Sequence, residues 1–393
     1  MTKQRKQGGQ MKKVCALIIL LLIFIITLSP TTYAAEEKID TDNSTLYNNQ
    51  LELSGADTLY SSLPEQTKEI LTELNMSSLS YENINSISFS DFFNIIKELV
   101  SEKSTTPFKA IFTVLGIMIL CSAVEAGNII SSESPLKKSI SSSGALCICA
   151  SCIIPLSKLI EQCTQVIDGA SGFMALYAPI MAGLMVSSSH SITGASYYSV
   201  LMGASEIISL ISSRLIIPFT HVFLSLSLIS SLSPELCVSG LGRAFEKGMK
   251  WIMNLSLGIF ATILSSQTLI SSSMDEVSNR MAKYAVSSFV PLVGGVLSET
   301  VNTFSGSLSL LKNGTGVFVI IASACIFLPV LIECVIWKIS FYVLGAAAGI
   351  LGLKNCSATV KSIEAVCSLM TAVLLTTIMI FIISTVIILI IGK

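Results

Sequence analysis

Residues 365–392 read AVCSLMTAVLLTTIMIFIISTVIILIIG, and none of these positions carries a charged side chain. A transmembrane α-helix needs about 20 consecutive, mostly apolar residues to cross the roughly 30 Å hydrocarbon core of a bilayer. Further stretches without Asp, Glu, Lys or Arg are residues 139–157, 169–205, 215–234, 251–274 and 313–332. The sequence therefore predicts an all-α polytopic membrane protein.

The overall composition agrees with this class. Hydrophobic residues make up 52% of the chain and charged residues only 12%, whereas a soluble domain carries about 25% charged residues. We expect about 8–10 transmembrane or re-entrant helices from the apolar segments in residues 107–393. These segments are residues 108–127, 140–157, 170–187, 196–213, 215–232, 250–270, 284–298, 314–331, 333–351 and 366–391.

The first 34 residues have the pattern of an export signal. Basic residues at positions 3–13 precede the apolar stretch 14–28, and Thr32 and Ala34 fit a cleavage site that requires small residues. The alternative is an uncleaved first anchor helix. In both cases we expect the following region, residues 35–106, to lie outside the cytoplasm.

Residues 35–106 form an acidic region with its own helical pattern. They hold 13 acidic and 4 basic residues, although the whole chain has a net charge of only −1. Apolar residues recur at helical spacing in residues 63–76 and 88–103. We expect a small helical domain or a pair of interfacial helices. No basic surface for nucleic acid is predicted, so the expected surroundings are the lipid bilayer and other proteins.

Two stretches of the apolar body resemble each other at an offset of 112 residues. Residues 177–194, YAPIMAGLMVSSSHSITG, align without a gap on residues 289–306, FVPLVGGVLSETVNTFSG. The pattern favours an internal duplication, with repeats at about residues 135–242 and 247–354. Basic residues mark loops 128–139, 233–250 and 352–364, which we interpret as lying inside, whereas loops 158–169 and 271–283 have no excess of basic residues and suit the outside. The basic loops recur at equivalent positions of both repeats, which favours a parallel arrangement rather than an inverted one.

Both matched stretches carry helix-disfavouring residues within apolar sequence. Interrupted helices in duplicated halves are typical of transport sites, because irregular backbone at membrane depth must line a cavity or be buried in protein. The alternative is close helix packing at small residues. The predicted helix-break and path-lining residues are Pro179, Gly183, Gly194, Pro291, Gly294, Gly295, Glu299 and Gly306.

Two carboxylates stand out inside or near the apolar segments. A charge within the membrane is costly and often serves a function. Glu206 and Glu333 are the stronger candidates, whereas Arg214 and Lys338 are better explained by side chains that reach an interface.

Enzymatic functions find little support in the sequence. No phosphate-binding loop, HExxH zinc motif or nucleophile elbow is present, and His190 and His221 are the only histidines. Most of the 11 cysteines lie in apolar runs, where a thiol behaves as a small hydrophobic side chain. We therefore expect no catalytic residue, no metal site and no cofactor.

Residues 290–313, VPLVGGVLSETVNTFSGSLSLLKN, resemble the stage III sporulation protein AE family of endospore-forming bacteria. The export signal, acidic region and polytopic body also fit this family. The first matched copy, however, has no counterpart of Lys312 and Asn313, so the resemblance does not imply equal roles for both copies.

The resemblance implies a multi-pass protein of the mother-cell membrane around the forespore. Its expected partners are the other stage III sporulation A-operon membrane proteins, including an ATPase and ring-forming subunits, and stage II sporulation protein Q through the complex. The leading hypothesis is a non-enzymatic subunit of this channel complex that acts as an export platform or permease. The alternatives are a self-sufficient secondary transporter of a small solute and a purely structural membrane scaffold.

Overall fold

The computed structural model describes residues 49–76, 79, 89–127, 135–188, 190–211, 238–289 and 294–391, together with five positions between 218 and 225. In these residues the structure is helical, and no strand occurs. Residues 49–54 are helical, and the helices that follow are α1 (Thr58–Ser61), α2 (Glu65–Glu73), α3 (Phe89–Lys103), α4 (Thr105–Gly127), α5 (Pro135–Ser187), α6 (Ser191–Ile211), α7 (Val238–Phe289), α8 (Gly294–Ile350) and α9 (Lys354–Ile391).

The helical pattern predicted for residues 35–106 is present in α2 and α3. Helix α2 begins directly after Pro64 and has Glu65 in its first turn, where an acidic side chain interacts favourably with the helix dipole. The helix ends near Asn75, which has a positive φ of 59°. Leu59 and Leu71 are fully or almost fully buried. Helices α2 and α3 both pack against α8, so this region is attached to the membrane helices.

Five helices in the described part of the chain are long and apolar enough to cross a membrane. They comprise Thr105–Ala126, Ser139–Ser187, Lys247–Met281, Leu308–Ile350 and Lys354–Ile390. The predicted polytopic all-α class is therefore confirmed, with five candidate spans in these residues.

The described helices differ from the predicted segments in one respect. Segments 140–157 and 170–187 are parts of one helix, α5, and segments 314–331 and 333–351 are both in α8. The polar residues 158–169 between the first two segments were interpreted as a loop because hydropathy alone does not report whether the backbone continues. A helix tolerates charged residues on an exposed face without ending.

Two of these helices, α5 and α8, are more than twice as long as the hydrocarbon core of a bilayer is thick. The 49 residues of α5 that are apolar enough to span would extend over roughly 74 Å at 1.5 Å per residue. The corresponding 43 residues of α8 would extend over roughly 65 Å. A hydrocarbon core of about 30 Å covers less than half of either helix. Parts of α5 and α8 therefore lie beyond the hydrocarbon.

Helices α8 and α9 form an antiparallel hairpin at the centre of the molecule. Gly352 in their connection has a φ of +74°, a conformation that favours glycine. Phe327 of α8 and Phe381 of α9 are both fully buried, and their ring centroids lie 6.3 Å apart. Helix α5 packs against both helices, and α7 packs against α9. The central position of α9 explains why its uncharged sequence is mostly buried in protein.

Candidate functional site

The clearest irregularity among the described spans is the short connection between α5 and α6. Helix α5 ends at Ser187 and α6 begins at Ser191. The amide of His190 donates to the carbonyl of Met185 at 2.8 Å, and the amide of Gly194 donates to the carbonyl of His190 at 2.9 Å. Helices α5 and α6 pack against each other, so the chain reverses its direction at this connection. We call residues 188–190 the α5–α6 interruption.

A carboxylate from another helix accepts hydrogen bonds from the backbone directly after this interruption. Asp275 lies on α7 and is 3% exposed. Its Oδ1 accepts a hydrogen bond from the amide of Ile192 at 2.9 Å, and its Oδ2 accepts one from the amide of Thr193 at 2.9 Å. The first amides of a helix have no partner within the helix, and the dipole there favours a negative charge. Asp275 therefore caps the N-terminus of α6.

A second polar contact joins α6 to α7 beside this cap. Ser271 Oγ donates to Ser196 Oγ at 2.8 Å. Ser271 lies one helical turn before Asp275, and Ser196 lies one turn after Ile192, so the two helices run antiparallel here. Hydrogen bonds to a charged acceptor are stronger than bonds between neutral groups. Of the two contacts between α6 and α7, the hydrogen bonds to the buried carboxylate of Asp275 therefore contribute more to the position of α6.

Helices α5 and α6 also approach each other closely at Gly194. A Cβ at this position would lie 2.9 Å from the carbonyl oxygen of Ala182 and 3.2 Å from Cβ of Met185. Only a residue without a side chain fits at that distance. Further along the hairpin, the rings of Tyr177 and Tyr197 make an edge-to-face contact with centroids 6.4 Å apart. Gly194, predicted as a break residue, therefore serves close packing.

Pro179 and Gly183 occupy the opposite side of the same hairpin. Both residues are exposed, and the space around Gly183 is open to 4 Å. Helix α5 continues through Pro179 to Ser187, so the chain is interrupted after this proline and not at it. A proline removes one backbone hydrogen bond but need not end a membrane helix. Within this single chain, neither residue lines either of the two described cavities.

The second matched stretch lies at a different kind of position. Helix α7 ends at Phe289 and α8 begins at Gly294. Pro291 lies outside the described residues. Helix α8 contains Gly294, Gly295, Glu299 and Gly306. The side-chain contacts of these four residues lie outside what the structure describes.

The helix boundaries fall at different positions in the two matched stretches. At the offset of 112 residues, the α5–α6 interruption corresponds to residues 300–302, which are helical within α8. The internal duplication and a transport path along both copies therefore stay predictions from the sequence.

The two singled-out carboxylates have different environments. Glu206 is exposed on α6, whereas Glu333 is partly buried on α8. Lys103, which ends α3, and Lys158 of α5 lie within electrostatic range of Glu333. Glu333 thus belongs to a group of charges shared by α3, α5 and α8. In the described residues, no three His, Cys, Asp or Glu side chains are placed to hold a metal ion.

Asp275, which caps α6, was not predicted from the sequence. Residues 271–283 were interpreted as an outside loop because their charges balance, but they continue α7 as helix. Asp275 pairs with residues more than 80 positions earlier in the chain. Short-range patterns carry no signal for such a contact. The start of α6 gives an indirect signal, because its first backbone amides need an acceptor and its own first turn contains no carboxylate.

Comparison with known proteins links this architecture to one family. The model of the family described as stage III sporulation protein AE matches residues 73–392, which include α3 to α9 and the α5–α6 interruption. A relative from Bacillus subtilis (strain 168), named stage III sporulation protein AE, is 22% identical over 167 residues, which are 42% of this chain and 42% of the relative. That alignment thus spans less than half of the relative. No solved structure matches the chain.

Proposed function

The chain belongs to the stage III sporulation protein AE family, and from this premise we propose that it is a non-enzymatic membrane subunit of the sporulation channel complex. The family name supports a role in the third stage of sporulation. The five candidate spans support a role within a membrane. The absence of phosphate-binding and zinc-hydrolase motifs from the sequence favours a subunit that depends on its partners for energy.

Within this complex the proposed role is that of an export platform or permease subunit. We place the chain in the mother-cell membrane around the forespore, with its N-terminal acidic region in the intermembrane space. The proposed partners are the other stage III sporulation A-operon membrane proteins, including the ATPase and the ring-forming subunits, and stage II sporulation protein Q through the complex. The attachment of α2 and α3 to α8 supports this role, because it couples the acidic region to a membrane helix.

The observation that carries the proposal for the site is the cap of α6 by Asp275. A buried carboxylate with two amide donors holds the start of α6 against α7. A buried charge without partners is costly. The contact between the start of α6 and Asp275 of α7 therefore has one favoured arrangement, which fixes the position of α6. In the proposed role, this fixed hairpin of α5 and α6 is the part of the subunit that its partners contact during export.

This proposal is tested in the spore-forming host with Asp275→Asn. Asparagine places an NH2 donor at one of the two positions where a carboxylate oxygen of Asp275 accepts a backbone hydrogen bond, so that amide loses its acceptor. We expect the variant to reach the membrane in normal amounts but to block forespore development. The matched control is Glu276→Gln, because Glu276 is the neighbouring exposed acid that pairs with Arg280 one turn later. Control cells should form normal spores.

Three outcomes separate the proposed function from its alternatives. A block by Asp275→Asn alone supports the platform. Normal spores in both variants would contradict a role for the cap of α6 by Asp275. Uptake of a small solute by the purified wild-type chain in lipid vesicles would contradict dependence on partners and would favour the secondary transporter.

A further inference from the structure

One face of α5 carries a groove that the proposed function does not use. The groove has a volume of about 620 Å³. Its charged and amide-bearing lining residues are Lys158, Glu161 and Gln165, and its apolar lining includes Ile153 and Ile154. Ser157 and Thr164 of α5 and His221, from the segment between α6 and α7, also line the groove.

The groove changes from apolar to charged along the axis of a single helix. Residues 139–157 contain no charged residue, and Ile154 is 76% exposed at the end of this run. Lys158, Glu161 and Gln165 follow at spacings of three and four residues, so they share one helix face. All three are exposed. A hydrocarbon surface and a charged surface thus meet within about one helical turn, as the acyl chains and headgroups of a bilayer do.

The neighbouring helices place more charges near this transition. Glu333 of α8 lies within electrostatic range of Lys158 and of Lys103, where α3 ends. Charged side chains are rare inside hydrocarbon and common where a helix meets the headgroup layer. The transition on α5 is therefore part of a boundary shared by several helices and not an isolated polar side chain.

From this arrangement we propose that the groove binds a phospholipid with a zwitterionic headgroup, whose acyl chains lie along Ile153 and Ile154. Lys158 binds the phosphate, and Glu161 binds the ammonium group. Gln165 donates a hydrogen bond to Glu161 Oε1 at 3.4 Å and so steadies this carboxylate.

Lys158 and Glu161 carry opposite charges, and together they determine which class of lipid headgroup the groove prefers. Lys158 attracts any phosphate, but Glu161 lies one turn away on the same face and repels a headgroup that carries only negative charge. A headgroup with a phosphate and a primary amine places each charge beside an opposite one. A phosphoethanolamine lipid therefore fits the groove better than a phosphoglycerol lipid.

The binding site also assigns the bilayer boundary. Because the acyl chains follow residues 139–157, the half of α5 that includes Ile153 lies in hydrocarbon. The headgroup layer then falls at Lys158 and Glu161. This placement agrees with the length of α5, since a single bilayer covers only about one of its two apolar halves.

Native mass spectrometry of the full-length purified chain tests this inference. Phosphatidylethanolamine or phosphatidylglycerol is titrated into the protein in detergent, and the bound fraction is measured for each lipid. We expect wild type to prefer phosphatidylethanolamine by at least tenfold. Lys158→Met should weaken binding of both lipids at least tenfold, because both carry the phosphate. Glu161→Gln should remove the preference while phosphatidylglycerol still binds.

The control variant is Lys354→Met, which removes an exposed cation at the start of α9 and should leave both lipids unaffected. Equal binding of both lipids by wild type, or binding that survives Lys158→Met, would overturn the proposal. Soluble glycerophosphoethanolamine is added as a competitor. Displacement of the lipid at equal concentration would overturn it too, because the groove would then bind a soluble solute.

Discussion

The two sides of the α5–α6 hairpin place similar residues in opposite environments. On the inner side, Gly194 is pressed against the backbone of α5 and Asp275 of α7 is buried against the start of α6. On the outer side, Pro179 and Gly183 are exposed, and nothing lies within 4 Å of a Cβ at Gly183. The same residue type thus has a strict steric role on one side and none on the other.

The difference shows how helix-disfavouring residues should be interpreted in this chain. Glycine and proline in an apolar stretch indicate where a helix is weak, but they do not indicate which residue is under structural constraint. That depends on what packs against the residue. In this hairpin, α5 constrains Gly194 and Asp275 of α7 constrains the start of α6. Nothing in the chain packs closely against Gly183 on the opposite side.

The largest effect is expected at the cap. Asp275→Ala removes the acceptor of two amides at the start of α6, of which the Thr193 amide is buried and the Ile192 amide is partly buried. An unsatisfied buried donor costs about 1–3 kcal/mol and a partly buried one costs less, so the free energy of unfolding should fall by roughly 1–4 kcal/mol. Chemical denaturation of the full chain in detergent measures this loss. A change below about 0.5 kcal/mol would contradict the capping role.

The second prediction compares alanine substitutions at the two glycines of the hairpin, Gly194 and Gly183. Gly194→Ala places a Cβ 2.9 Å from a backbone oxygen, and such overpacking should lower the free energy of unfolding by about 1–3 kcal/mol. Gly183→Ala meets open space within a helix and should raise it by about 1 kcal/mol, because alanine favours the helix. The same denaturation experiment compares them. Equal effects would mean that the two sides of the hairpin do not differ.

The smallest effect compares the two carboxylates. Glu333→Gln removes both the attraction to Lys103 and Lys158 and the larger cost of holding a partly buried carboxylate. The substitution should therefore raise the free energy of unfolding, by less than about 1 kcal/mol. Glu206 is exposed, so Glu206→Gln should change it by less than about 0.5 kcal/mol. Added salt screens the attraction to the two lysines and should enlarge the gain in Glu333→Gln. A loss of stability in Glu333→Gln, or an equal change in Glu206→Gln, would contradict the difference between the two environments.

The sequence predicted the fold class because hydropathy is a local property. Residues 365–392 indicate a buried or membrane helix without any knowledge of their neighbours, and α9 confirms this interpretation. Helix continuity was harder to predict. Lys158, Glu161 and Asp168 suggested a loop, but they lie on exposed positions of one continuous helix.

The site was predicted only in part because its main contact is long-range. Gly194 was singled out by its place in the matched stretch, and its close approach to Ala182 gives that choice a physical reason. Asp275 was not singled out, since its partners Ile192 and Thr193 lie on another helix. Only the packing of α7 against α6 brings these groups together.

The most direct test of the proposed function is purification of the tagged full chain from membranes of sporulating host cells. The account predicts that the other stage III sporulation A-operon membrane proteins, including the ATPase and the ring-forming subunits, purify with it, and that the purified chain alone transports no solute in vesicles. Recovery of the chain without these proteins, from membranes in which they are present, would contradict the account.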